Sequence, residues 1–153
     1  VTSLKTPTAL GLTRQNLEPV PGSSKDALKG GYVLSDCQGT PEVILIATGS
    51  EVNLALKAKA VLEAEGRKIR VVSMPCMELF EEQSKEYRES VLPNSVRKRV
   101  VIEAGCDFGW GSYTGLDGAC VTMNGFGASG PANQLFEHFV FTVDHVVETV
   151  KSP

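Results

Sequence analysis

Short apolar runs alternate with polar, breaker-rich stretches along this chain, and the period of the apolar positions switches between that of a strand and that of a helix. Residues 8–13, Thr8-Ala9-Leu10-Gly11-Leu12-Thr13, predict a short strand that Gly11 weakens and Pro7 confines to a beginning or an edge. Residues 15–30 follow with Pro19, Pro21, Gly22, Ser23, Ser24 and Gly30, a composition that predicts an exposed linker and a domain boundary. Residues 31–35 and 43–47 are apolar runs joined by Cys37-Gln38-Gly39-Thr40-Pro41, which suits a hairpin-like turn between two antiparallel strands. The second run is apolar without alternation, as a strand covered on both faces requires.

Val52, Leu54, Ala55, Ala58, Val61 and Leu62 then recur at helical spacing, and Gly66 supplies the stop. Residues 69–74 predict the next strand, ended by Pro75, which completes a βαβ unit with a right-handed crossover and makes the sheet partly parallel. Residues 78–92 predict one or two short helices, 100–104 a buried strand and 119–123 the last strand. Pro131 opens a helix that places Leu135, Phe136 and Phe139 on one face, and Thr142 caps a terminal helix that turns Val143, Val146, Val147 and Val150 inward.

At 153 residues, 42% hydrophobic and 22% charged, the chain has the size and balance of one folded domain. Net charge is −3, and Arg97-Lys98-Arg99 is the largest basic cluster, which argues against nucleic acid as a partner. The apolar stretches fall far short of the ~20 residues a membrane span needs, and no basic leader precedes one at the start. A chain that opens on Val1 also reads as part of a longer one. The four cysteines, Cys37, Cys76, Cys106 and Cys120, form no CxxC pair and have no clustered histidines, so they read as buried thiols in a reducing compartment.

Several motifs carry two readings. Gly125-Phe126-Gly127-Ala128-Ser129-Gly130 matches GxGxxG between a strand and a helix, but a dinucleotide fold needs a further parallel strand ending in an acidic residue. After Phe139 only one helical segment remains, so these glycines read as a tight turn pressed against another surface. The loop 105–111 carries Phe108 and Trp110 among glycines and reads as a partner surface, with packing on its own sheet or ligand binding as alternatives. Thr48-Gly49-Ser50-Glu51 suits an anion at a helix N-terminus, or Ser50 as a plain N-cap. Glu103 at a strand end suits an acid or base, or a structural pair. His138 and His145 sit on separate helices without convergent ligands. Arg14, flanked by Thr13, Gln15 and Asn16, suits a bidentate contact with phosphate, or a structural ion pair.

Taken in order, several segments resemble transketolases. They are Pro7-Thr8-Ala9-Leu10, Thr13-Arg14-Gln15-Asn16-Leu17, Gly30-Gly31-Tyr32-Val33-Leu34, Ile46-Ala47-Thr48-Gly49-Ser50-Glu51-Val52, Arg70-Val71-Val72-Ser73-Met74-Pro75, Tyr87-Arg88-Glu89-Ser90-Val91-Leu92-Pro93, Glu103-Ala104-Gly105 and Phe126-Gly127-Ala128-Ser129-Gly130-Pro131-Ala132. The dihydroxyacetone synthases are the nearest confusion. The resemblance implies a three-layer αβα C-terminal domain around a mixed, mostly parallel five-stranded sheet. Residues 1–14 would be the tail of the preceding pyrimidine-binding middle domain, 15–30 the linker and 31–153 the C-terminal domain. Such enzymes, of the pentose phosphate pathway and Calvin cycle, transfer a two-carbon ketol unit between sugar phosphates. They hold thiamine diphosphate and Mg2+ between their first and middle domains at a homodimer interface. The resemblance implies that Arg14 matches the Arg of the family's Ser-Arg-Gln-Asn-Leu motif, which contacts substrate phosphate, with Thr13 in place of Ser.

The implied partners are the remaining domains, a second copy and a sugar phosphate, in the cytoplasm or plastid stroma. The chain by itself would then be inactive and would serve structure, dimer contact or regulation. Gly11, the Ser129-Gly130-Pro131-Ala132 turn and the aromatic loop depart from the family pattern. A stand-alone α/β assembly module and a nucleotide-binding domain are the rival readings.

Overall fold

The computed structural model describes residues 7–152. Strands β1 (Tyr32–Ser35), β2 (Val43–Ala47), β3 (Ile69–Ser73), β4 (Lys98–Ile102) and β5 (Ala119–Val121) form one sheet in the order β1-β3-β2-β4-β5. The helices are α1 (Glu51–Ala64), α2 (Met77–Glu81), α3 (Lys85–Val91), α4 (Gly111–Thr114), α5 (Ala132–His138) and α6 (Val143–Lys151). The βαβ unit β2-α1-β3 places its two strands side by side and parallel, and β4 and β5 extend the parallel array.

Alternation along β2 separates two cores. Val43, Leu45 and Ala47 face α1 and α6, together with Ile69, Val71, Val100 and Ile102. Ile44 and Ile46 face the opposite way, with Val72, Met74 and Val101, toward Phe80 of α2, Val91 of α3 and Tyr113 of α4. The result is the three-layer αβα arrangement, with the fully buried β2 at its centre.

The hairpin expected of 31–35 and 43–47 does not form. β3 lies between β1 and β2, and β1 pairs antiparallel with β3. The physical reason is competition for edges: β3 and β4 take both sides of β2, leaving β1 the free edge of β3. Arg70 on β3 secures that choice by clasping Asp36 just beyond β1, Nε to Oδ1 at 2.9 Å and Nη2 to Oδ2 at 2.8 Å.

Residues 8–13 form no strand, and Leu12 is 83% exposed. Residues 15–30 are not linker alone: Lys25–Lys29 make a 3-10 helix whose N-cap Ser24 accepts from the Asp26 N–H. The loop 105–111 also departs from expectation, because Trp110 is 3% exposed and joins the second core, its ring 5.8 Å from that of Tyr113. Phe108 alone remains a surface aromatic there, 90% exposed. The thiols are not buried either: Cys37, Cys76 and Cys120 are half-buried and Cys106 is exposed, because three of them sit in loops and Cys120 lies on the edge strand β5. Thr142 caps α6 as expected, accepting from the His145 N–H at 3.2 Å. No helix among the described residues is long and apolar enough to cross a membrane.

Candidate functional site at the carboxyl edge of the sheet

In a parallel sheet the strands all end on one side, and the turns that leave them carry the polar groups a site can use. β2 ends in Thr48-Gly49-Ser50 and β4 in Glu103-Ala104-Gly105, and the pairing of Ala47 with Ile102 brings these turns together. Thr48 Oγ1 donates to Glu103 Oε2 at 3.0 Å. Ser50 does not cap α1; its hydroxyl instead donates to Glu51 Oε1 at 2.6 Å, because Ser50 already has helical backbone angles.

Glu51 is buried, 4% exposed, at the first position of α1. Burial pushes its carboxyl above the usual carboxylate range; the Ser50 hydroxyl and the Ala104 N–H oppose the shift, and the neighbouring Glu103 charge adds to it. Burial likewise raises the Glu103 carboxyl, against the hydrogen bond from Thr48. Like charges in a poorly hydrated corner discourage double ionisation, so the pair can retain a proton to higher pH than free glutamates do. Folding then favours the protonated carboxyls. Their contribution to stability is complete below the unfolded glutamate pKa and is lost as pH rises through the raised folded values. Glu51→Gln keeps the acceptor for Ser50 and Ala104 without the charge. Urea unfolding across mildly acidic to neutral pH should show this variant gaining on the wild type as pH rises; parallel curves would contradict the coupling.

The other expected site residues are scattered. Arg14 is exposed, on a stretch without regular structure, and makes no ion pair among the described residues. His138 stacks edge-on against Phe139 with centroids 4.8 Å apart, while His145 lies in the first turn of α6. The GxGxxG segment is a loosely packed loop: among the described residues nothing lies within 4 Å of a Cβ placed on Gly125, and those on Gly127 and Gly130 would meet only side chains, Met123 at 3.9 Å and Leu135 at 3.5 Å. A cavity that no motif announced lies beside the carboxylate corner. It measures about 330 Å³ and opens between α1, α5 and the chain around Gln15.

These features define a class: a three-layer α/β domain with its polar groups gathered at the carboxyl edge of the sheet. Residues 30–142 match the family described as the transketolase-like TK C-terminal domain, and the chain belongs to that family. Over 148 residues it is 55% identical to "Transketolase 2" of Vibrio parahaemolyticus, a match covering 95% of this chain and 22% of that protein. Over 154 residues it is 52% identical to the chloroplastic transketolase of Craterostigma plantagineum, covering 99% of this chain and 30% of that one. It superimposes on the transketolase of Leishmania mexicana with a TM-score of 0.81 at 44% identity, over 90% of this chain and 20% of that chain. The chain thus spans between 20% and 30% of the length of these relatives.

The described residues do not fit a metal–diphosphate centre. Among the described residues no three His, Cys, Asp or Glu side chains gather to hold a metal ion. The two carboxyls that do meet are engaged by Thr48, Ser50 and Ala104.

Proposed function

We propose that this chain works as the C-terminal domain of a transketolase, with Arg14 binding the phosphate of a sugar-phosphate substrate. The whole enzyme transfers a two-carbon ketol unit between sugar phosphates, and thiamine diphosphate with Mg2+ is held by protein outside this chain. Residues 1–14 belong to the preceding domain, 15–30 connect and 31–153 form the C-terminal domain. The observation that carries this reading is a 55% identical match along 95% of the chain to a transketolase of which it covers only 22%. An exposed guanidinium with no ion-pair partner among the described residues agrees with the role given to Arg14. Phe108 and Phe126 stand exposed on the loops leaving β4 and β5, suited to meet the remaining domains or the second copy of a homodimer. Chloroplastic and bacterial relatives agree with the cytoplasm or plastid stroma.

The test is Arg14→Leu in the full-length enzyme. Loss of charge-assisted hydrogen bonds worth about 1.5–3 kcal/mol should raise KM for a ketose phosphate roughly 10- to 150-fold. The same ketose without its phosphate should react unchanged. Equal losses on both would remove Arg14 from the phosphate site. Turnover by this chain alone, supplied with thiamine diphosphate and Mg2+, would overturn the placement of the chemistry elsewhere.

A further inference from the structure

We propose that the cavity between α1, α5 and Gln15 binds a short-chain phosphorylated polyol. The proposal does not depend on which reaction the whole protein performs. Ser50, Asn53 and Lys57 recur at helical spacing along one side of α1 and line one wall, while Asn133 of α5 and Gln15 line others. The floor is apolar, built from Leu54, Phe136 and Phe141. A volume of about 330 Å³ lies at the small end of ligand pockets, in keeping with a compact molecule.

The lining chemistry selects the ligand. Each carboxamide offers a donor and an acceptor, which is what a polyol hydroxyl, itself both donor and acceptor, can satisfy. Lys57 brings a compact positive charge of the kind that binds phosphate as a point charge. No Asp or Glu lines this cavity, although the chain carries a net charge of −3. The Lys57 ammonium and the Gln15 and Asn133 carboxamides have no side-chain partner among the described residues. Asn53 uses one N–H, on the Glu18 carbonyl at 3.4 Å.

Three other polar grooves among the described residues lack that freedom. In one, Arg97 is paired with Asp117, and Arg99 is occupied by main-chain carbonyls. In the second, Arg88 is paired with Glu81 beside Glu89. In the third, Lys98 donates to the Ser152 carbonyl beside Asp117. All three carry acidic side chains that would repel an anion.

The α5 wall is also the least anchored. None of its residues is buried, and the turn that returns the chain to Phe141 holds Val140 at φ 62°, a left-handed conformation that a β-branched side chain resists. A shift of α5 toward α1 would close the cavity around a ligand and change that turn.

The experiment is a titration of this chain with glycerol 3-phosphate, inorganic phosphate and glycerol, followed by the side-chain amide signals of Gln15, Asn53 and Asn133. Glycerol 3-phosphate should shift all three and saturate, with inorganic phosphate binding about tenfold more weakly and glycerol weaker still, as removal of one charged or several polar contacts predicts. Lys57→Gln should weaken glycerol 3-phosphate about tenfold without lowering the melting temperature, since Lys57 is exposed. Asn133→Ala should weaken glycerol 3-phosphate more than inorganic phosphate. Unmoved carboxamide signals, or glycerol 3-phosphate binding that ignores both substitutions, would overturn the proposal. Its failure leaves the Arg14 assay untouched, because that assay reads ketol transfer and this one reads binding.

Discussion

Gly30→Ala is expected to destabilise the domain by about 2–5 kcal/mol, the sum of a left-handed backbone penalty of roughly 1–2 kcal/mol and a steric overlap of roughly 1–3 kcal/mol. Gly30 ends the 3-10 helix at φ 85°, where an L side chain is strained. A Cβ there would stand 2.3 Å from the Cys76 carbonyl oxygen and 2.3 Å from the Phe80 nitrogen. Both are main-chain atoms of the turn that starts α2, so no rotamer change relieves the overlap. Nor can the chain back away freely: the Gly30 N–H donates to Ala27 at 3.1 Å and its carbonyl accepts from Cys76 at 2.9 Å.

Gly49→Ala is the matched control. Its φ is also positive, at 51°, but nothing lies within 4 Å of the added Cβ, so only the backbone penalty of roughly 1–2 kcal/mol applies. Thermal melts of both variants separate the two effects, with Gly30→Ala falling by about 10 °C and Gly49→Ala by only a few. Equal losses would mean that the close approach at Gly30 carries no cost. The same contact explains why residues 15–30 are more than a connector: the composition that reads as linker also contains the only residue type this junction accepts.

Local chemistry was legible in the sequence; choices among distant partners were not. The unbroken apolar run of β2, the helical spacing of α1 with Gly66 beyond it, and the Thr142 cap of α6 each depend on neighbours in sequence, and each forms. The place of β1 depends on which strand takes the edges of β2, and nothing within 31–47 records that β4 will claim one. Asp36 and Arg70 mark instead the pairing of β1 with β3, but a fork across 34 residues has no period to detect. Trp110 shows the same limit. Its glycine-rich surroundings suggest surface, whereas the short helix α4 turns the indole inward beside Tyr113.

The site divides along the same line. Thr48, Glu51 and Glu103 are recognisable singly as ends of strands or the start of a helix, and Arg14 as an exposed guanidinium. The meeting of Glu51 with Glu103 needs the strand order. The cavity draws on residues from Gln15 to Asn133, so no short motif spells it.

Arg99→Met should cost about 3 kcal/mol, because a half-buried guanidinium serves four main-chain carbonyls and each unsatisfied buried group costs roughly 1–3 kcal/mol. Nε donates to the Val96 carbonyl at 3.0 Å and Nη1 to Tyr113 at 3.0 Å, while Nη2 serves Leu92 at 3.2 Å and Pro93 at 2.9 Å. Those carbonyls belong to the end of α3, the turn after it and α4, so one side chain on β4 ties the second helical layer to the sheet. Methionine replaces the aliphatic stem but none of the donors, and some of the cost is offset where water can enter. Arg99→Lys should recover less than half of the loss, since an ammonium on one point cannot reach carbonyls spread around a planar fork. Arg97, two residues away, separates charge from geometry: it is exposed and paired only with Asp117, so Arg97→Met should change stability little. Urea unfolding of the three variants gives the comparison. If Arg99→Met and Arg97→Met lose the same amount, the carbonyl cluster is not what holds α3 and α4 to the sheet. In that case the attachment must come from Phe80, Val91 and Tyr113 packing against Ile44, Ile46 and Val101.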